Sequence, residues 1–180
     1  NNGSDYPNRE VKKIGEIFKI TRGNVLAMND IDNNYSEKMP YPVYSSQTKN
    51  KGLAGYYKDY LFENAITWTT DGANAGDVNY RSGKFYCTNV CGVLINENGF
   101  ANICIAELIN SVSRNYVSYV GNPKLMNGVM SEIAISFPSI PEQEKISNLF
   151  SAIYTKINIE IAILKKLESQ KKYLLDNFFI

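Results

Sequence analysis

Pro138-Ser139-Ile140-Pro141-Glu142-Gln143-Glu144-Lys145-Ile146 marks the point where the chain changes character. Pro141 suits the first turn of a helix, with Ile140 extended before it. Glu142 and Glu144 then sit at the positive end of the helix dipole. No Gly or Pro follows before Phe178. Alternate steps of four and three residues from Ile146 reach Phe150, Ile153, Ile157, Glu160, Leu164, Leu167, Lys171, Leu174 and Phe178, and eight of these ten positions are apolar. That is a coiled-coil period. At 1.5 Å per residue the helix is roughly 55 Å long, more than so small a domain can cover. The seam therefore calls for a partner, and an antiparallel self-pairing would bring Glu160 near Lys171 and relieve two otherwise costly charges. The alternative is a single helix folded back on its own domain.

Upstream of Pro138 the pattern is mixed. Ile14–Ile20 alternates apolar with polar and predicts a strand ending at Arg22-Gly23. Tyr41–Tyr44, Ala65–Thr70 and Phe85–Ile95 predict further strands, and Met130–Phe137 another that closes at Pro138. Asn102–Ser113 reads as a helix with Ile103, Ala106, Leu108 and Ile109 on its apolar face. Short strands between Gly, Asn and Asp clusters, with a helix or two, indicate an α+β domain. The chain divides into a β-rich mixed domain, 1–138, and a long helix, 139–180.

Composition narrows the function classes. Of 180 residues, 44% are hydrophobic and 21% charged, which suits a folded core and not a disordered chain. Nineteen Lys and Arg face 18 Asp and Glu, so net charge gives no general pull toward nucleic acid. Basic residues do collect locally, with Lys49 and Lys51 around Asn50, and with Arg114 and Lys124 in the acid-free run Leu108–Ser131. Cys87, Cys91 and Cys104 cannot all pair, which points to a reducing compartment, the cytoplasm. No CxxC pair and no histidine occur, so no metal site is expected, and Cys87 and Cys91 read as core thiols on one strand face. No apolar run spans a membrane. The missing histidine also removes the commonest general base near neutral pH. Glu63, Asp71 and Asp77 are scattered among turns, and Gly72-x-x-x-Gly76 lacks the Lys-Ser/Thr of a phosphate loop. No catalytic residue is expected.

The segment Ile133-Ala134-Ile135-Ser136-Phe137-Pro138-Ser139-Ile140-Pro141-Glu142-Gln143-Glu144-Lys145-Ile146 resembles the hallmark of specificity subunits of type I restriction-modification enzymes. In that family a strand enters a Pro-rich turn, then Glu-Gln and a basic residue, then a long helix ending as Lys172-Tyr173-Leu174-Leu175 does here. The upstream order is similar too. It runs from Val11–Ile17 with Thr21-Arg22-Gly23, through Tyr41–Ser46 and Gly52–Tyr56, to Thr69-Thr70-Asp71-Gly72 with Gly76-Asp77-Val78. Members usually hold two recognition domains and two long helices, whereas this sequence shows one of each and no internal repeat. The resemblance implies a half-length subunit, or a fragment of a longer one, that directs methyltransferase and restriction subunits to a bipartite target on double-stranded DNA. No cofactor is implied for this chain. S-adenosylmethionine would belong to the modification (methyltransferase) subunit, and neither its Asn/Asp-Pro-Pro-Tyr/Phe stretch nor its glycine-rich loop occurs here.

A DNA reader needs short polar side chains on loops, with cations to hold phosphates. Ser46, Gln47, Thr48, Lys49, Asn50 and Lys51 form the leading candidate. Gln47 and Asn50 can pair with adenine, while the lysines can hold backbone or guanine. Thr70 and Asn74 follow the strongest strand, and Arg81 and Lys84 are expected in the next turn. Arg22, Lys124 and Asn127 complete the set. Two copies joined along Ile146, Phe150, Ile153, Ile157, Leu164, Leu167, Leu174 and Phe178 would form a homodimer. The rival reading is a β-rich protein-interaction module dimerised by a coiled coil, with no DNA role.

Overall fold

Tyr41–Tyr44 (β3), Leu53–Tyr57 (β4), Phe62–Thr69 (β5), Val78–Cys87 (β6) and Cys91–Ile95 (β7) supply most of one six-stranded sheet. Lys19–Arg22 (β2) completes it, in the order β2-β7-β5-β6-β3-β4. Glu10–Lys13 (β1) and Ala134–Phe137 (β8) form a separate antiparallel pair. The helices are Ile14–Ile17 (α1), Ile103–Ser113 (α2), Asn127–Glu132 (α3) and Ile140–Phe178 (α4). This computed structural model describes residues 9–46 and 50–178. The α+β class read from the sequence is the one observed.

Alternation along β5 builds two cores. Ile66 and Trp68 face α2, joining Leu94, Ile105, Ala106, Ile109, Leu125 and Met130. Ala65 faces the other way, toward Val93, Phe85, Cys87 and Cys91. β6 and β7 both run antiparallel to β5, hence parallel to each other, yet only three residues join them. Parallel strands of one sheet ordinarily need a crossover of a dozen or more residues. Here the β5–β6 ladder slips between Glu63 and Ala65, where Asn64 takes φ 47°. The bulge bends the ribbon, and Phe85 folds over Ala65 and Val93 to make the second core.

Three local expectations are corrected. Ile14–Ile20 is not one strand, because Ile14–Ile17 forms a helical turn whose Glu16 carboxylate accepts the Lys13 N–H at 3.0 Å. Gly15 permits the close packing of this turn on α3, since a Cβ there would lie 2.1 Å from Ser131 Oγ. Met130–Phe137 likewise divides into the end of α3 and β8. Phe85–Ile95 breaks at a turn, where the Thr88 N–H donates to the Tyr44 carbonyl at 2.9 Å. Cys87 and Cys91 thus lie on different strands, although both are buried. Burial pushes the Cys87 thiol up, and those of Cys91 and Cys104 to about 11, so all three stay protonated near neutral pH.

α4 starts at Ile140, one residue before Pro141, and the Ser139 carbonyl accepts the Gln143 N–H at 2.9 Å. Its first turns pack on the domain: Glu142 and Gln143 are buried, and Ser147 Oγ accepts the Cys104 N–H at 3.2 Å. From Thr155 to Phe178 every residue is exposed, so the helix leaves the domain and does not fold back.

Trp68 pairs across the ladder with Gly92, where a Cβ would lie 2.1 Å from the indole. Gly92→Ala must push the ring off both Gly92 and the Leu125 carbonyl it donates to. Overpacking of this kind costs about 1–3 kcal/mol. Urea unfolding should show at least that loss, and an unchanged midpoint would contradict the packing described.

Candidate nucleic-acid interface

Three connections meet at the end of the sheet where β2 and β5 finish and β7 begins. Trp68 Nε1 donates to the Leu125 carbonyl at 2.9 Å, and the Leu125 N–H donates to the Thr70 carbonyl at 2.9 Å. The Gly72 N–H donates to Pro123 O at 3.0 Å, which lays the 118–125 loop along the 70–77 loop. The Gly23 and Asn24 N–H groups donate to Cys91 O and Cys87 O, both at 3.1 Å, bringing in the segment after β2. A Cβ on Gly23 would lie 2.1 Å from the Cys87 carbonyl, so only glycine fits there. Asn74 Nδ2 donates to Ser46 O at 3.3 Å, adding the end of β3.

These contacts bring Arg22, Ser46, Asn74 and Lys124 onto one rim. Arg22 Nε donates to Asn127 Oδ1 at 3.3 Å, and its Nη2 stands 3.9 Å from Asp71. Lys124 is exposed, its backbone bridged to both Asp71 and Ser118. Beside the rim lies a polar cleft of about 380 Å³, lined in part by Ser45, Thr69, Asn74, Lys51, Arg114 and Tyr154. Arg114 pairs with Asp77 there.

Other expected residues lie elsewhere. Gln47, Thr48 and Lys49 fall outside the described residues. Thr70 is fully buried, its hydroxyl 2.6 Å from an Asp71 carboxylate oxygen and 3.0 Å from Val90 O, so it cannot reach a base. Arg81 and Lys84 are not in a turn but within β6. Lys84 pairs in register with Glu63 at the opposite end of β5, its ammonium 4.5 Å from the Tyr60 ring centre. Arg81 is 8% exposed and turned inward. Its Nε donates to Thr67 Oγ1 at 3.0 Å and its Nη2 to Lys51 O at 2.7 Å, with the guanidinium 3.6 Å from the Tyr44 ring centre. Burial pulls its pKa down from the ordinary arginine value.

Asn50 and Lys51 are both exposed, and the Lys51 ammonium rests 3.7 Å from the centre of the Tyr154 ring on α4. Burial lowers the Lys51 pKa. The Tyr154 hydroxyl donates to Glu107, and burial together with that bond pushes its pKa to about 12. Asn50 and Lys51 both have φ 52°. Left-handed backbone costs a residue with a Cβ roughly 1–2 kcal/mol, so this turn must be held from outside. Lys51–Tyr154 was not foreseen, because the partners are over a hundred residues apart and neither belongs to a local pattern.

An α+β head with basic and amide side chains on one rim, carried on a protruding apolar-striped helix, is the form of a recognition module. Residues 7–169 match the family model described as the type I restriction modification DNA specificity domain. The chain belongs to that family. It is 43% identical over 140 residues to a Mycoplasma pneumoniae sequence named as the N-terminus of a type I specificity subunit, covering 76% of this chain and 73% of the relative. It is 38% identical to the specificity subunit of the type I restriction enzyme MpnII from the same organism, covering 92% of this chain and 50% of that one. The crystal structure of a type I restriction-modification system S subunit from M. genitalium shares the fold, with TM-score 0.72 and 17% identity over 97% of this chain and 46% of that one. The chain thus spans about half the length of the MpnII and M. genitalium subunits. Nothing in these comparisons favours an interaction module without a DNA role. Among the described residues no three Cys, Asp or Glu side chains gather as metal ligands, and no helix is long and apolar enough to cross a membrane.

If the rim holds phosphates, Arg22→Ala and Lys124→Ala should weaken binding to all sequences alike. Each should reduce the slope of log affinity against log salt by about one. Anisotropy titrations over a salt series measure this. Unchanged slopes for both variants would remove the rim from the interface.

Proposed function

We propose that this chain reads one half of a bipartite DNA target for a type I restriction-modification enzyme and performs no chemistry itself. The observation that carries this reading is the gathering of Arg22, Ser46, Asn74 and Lys124 on one rim of a domain that belongs to the specificity family. Arg22 and Lys124 would hold phosphates, while Ser46, Asn50 and Asn74 would meet base edges, with Gln47, Thr48 and Lys49 as further candidates. Lys84, away from the rim, would contribute at most a flanking phosphate contact. Methyl transfer and cleavage would belong to modification and restriction subunits, with S-adenosylmethionine on the former. Buried, unpaired thiols suit the reducing cytoplasm, where such enzymes would meet DNA.

Residues 1–138 would read, and 139–180 would space and pair. Ile157, Leu164, Leu167, Leu174 and Phe178 are between 46% and 73% exposed, a stripe that soluble monomers seldom tolerate. Ile146, Phe150 and Ile153 extend the seam toward the domain. Two copies would pair antiparallel through it, since two-fold dimers dominate among oligomers. Their heads would lie at opposite ends of the bundle, and the target would be an interrupted palindrome.

With a charge near zero, the chain alone should bind DNA poorly at physiological salt. Tight, sequence-dependent binding should need the modification subunit and its additional phosphate contacts. Gel shifts with and without that subunit test this, and nanomolar specific binding by the isolated chain would contradict it. Leu164→Asp with Leu167→Asp should split the dimer by burying unpaired charge. Sedimentation showing wild-type monomers at high micromolar concentration would sink the pairing.

A further inference from the structure

Asn50, Lys51 and Gly52 have φ of 52°, 52° and 86° in succession. Glycine adopts such backbone freely and Asn tolerates it, but Lys holds it only where its surroundings over-determine it. The Ser45 N–H closes the turn by donating to Gly52 O at 2.8 Å. Gly52 cannot be replaced without strain, because a Cβ would lie 2.7 Å from Ser45 O. The Lys51 carbonyl is drawn inward by Arg81 Nη2 at 2.7 Å. Arg81 is itself fixed by Thr67 of β5 and by the Tyr44 ring of β3. The other end of Lys51 rests on Tyr154. Lys51 is therefore held at its carbonyl and at its ammonium, and Asn50 beside it stays exposed.

Arg81 forms no ion pair among the described residues; its partners are a hydroxyl, a carbonyl and an aromatic ring. A buried guanidinium held by neutral groups is a poor source of stability, and a well-packed apolar residue would serve a core better. What an arginine supplies here is a planar fork that donates in two directions from one rigid group. One arm grips the central sheet and the other grips the turn.

We propose that Arg81 is a positioning residue for base recognition: it touches no DNA, and it fixes the Asn50–Lys51–Gly52 turn so that Asn50 meets one base. This rests on the reading of the chain as a DNA-recognition subunit. A lysine at position 81 keeps the charge but loses the fork. Leucine at position 154 keeps an apolar contact on α4 and removes the ring beneath the Lys51 ammonium.

The test presents the full chain, with its modification subunit, to a library of randomised duplexes. Recovered sequences are counted for wild type, Asn50→Ala, Arg81→Lys and Tyr154→Leu, alongside melting temperature and affinity for unrelated DNA. Asn50→Ala should relax one base position. Arg81→Lys should lower discrimination by about tenfold at that same position, the scale of one bidentate base contact. Tyr154→Leu should lower it there by a smaller factor, with affinity for unrelated DNA within twofold of wild type for both. Wild-type discrimination in folded Arg81→Lys and Tyr154→Leu would overturn the proposal, as would a loss spread evenly over all positions. If Arg81→Lys does not fold, Tyr154→Leu alone decides. A wild-type complex with no sequence preference would instead refute the DNA-recognition reading and carry this inference with it.

Discussion

Trp68 lying across Gly92 is the contact on which the rest of the domain depends. β5 is the central strand, and its largest side chain can turn toward α2 only because the facing position on β7 has no Cβ. From there the indole N–H reaches the Leu125 carbonyl, in a segment without regular secondary structure. That bond draws the 118–125 loop against the end of β5, and the backbone bonds from Leu125 to Thr70 and from Gly72 to Pro123 follow. A core residue and a surface rim are thereby one unit. Burying so large a ring contributes several kcal/mol.

The second constraint is the joint between domain and helix. Glu142 is 4% exposed, and its carboxylate is held by Arg9, with Nε at 3.0 and 3.2 Å from the two oxygens. Gln143 accepts from Asn102 Nδ2 at 2.8 Å and donates to Pro138 O at 2.9 Å. Asn102 also caps α2, accepting from the Ile105 N–H at 3.1 Å. One pair of side chains thus fixes the start of both helices relative to each other. The buried charge of Glu142 is compensated by Arg9, so removing Arg9 would leave an uncompensated carboxylate in a dry site. This joint sets the direction in which the apolar stripe leaves the domain.

The long helix was the most legible element, because its signal is periodic and uninterrupted over almost forty residues. β3 and the core of β5 were legible for a similar reason, being short β-branched and aromatic runs bounded by turn residues. The failures have physical causes. Ile14–Ile20 alternates as a strand does, but the bond from the Lys13 N–H to the Glu16 carboxylate and the close approach at Gly15 favour a helical turn. Phe85–Ile95 is apolar on both sides of Thr88-Asn89 because residues of both halves line one core, and the break at Thr88 is fixed by a bond to Tyr44, far away in sequence. At the site, loop composition offered Arg22, Asn74 and Lys124 as DNA contacts, and the structure leaves each at least partly exposed on one rim. Composition could not separate Thr70 and Arg81 from them, since burial of a polar side chain is decided by partners far away in sequence. Lys51 illustrates the limit. Its charge suggested a phosphate contact, and its actual neighbour is a tyrosine on the last helix.

That neighbour joins the two constraints. The Asn50–Lys51 turn is tied inward to β5 through Arg81 and outward to α4 through Tyr154, whose hydroxyl is tied in turn to Glu107 of α2. A reader on a free loop would lose ordering entropy each time it met DNA and would keep no fixed distance from the spacer. A turn gripped by sheet and helix together has already lost that freedom. In the proposed role that rigidity would serve two ends, fixing which group faces a base and how far that base stands from the axis of the helix. Both would depend on contacts made away from the DNA.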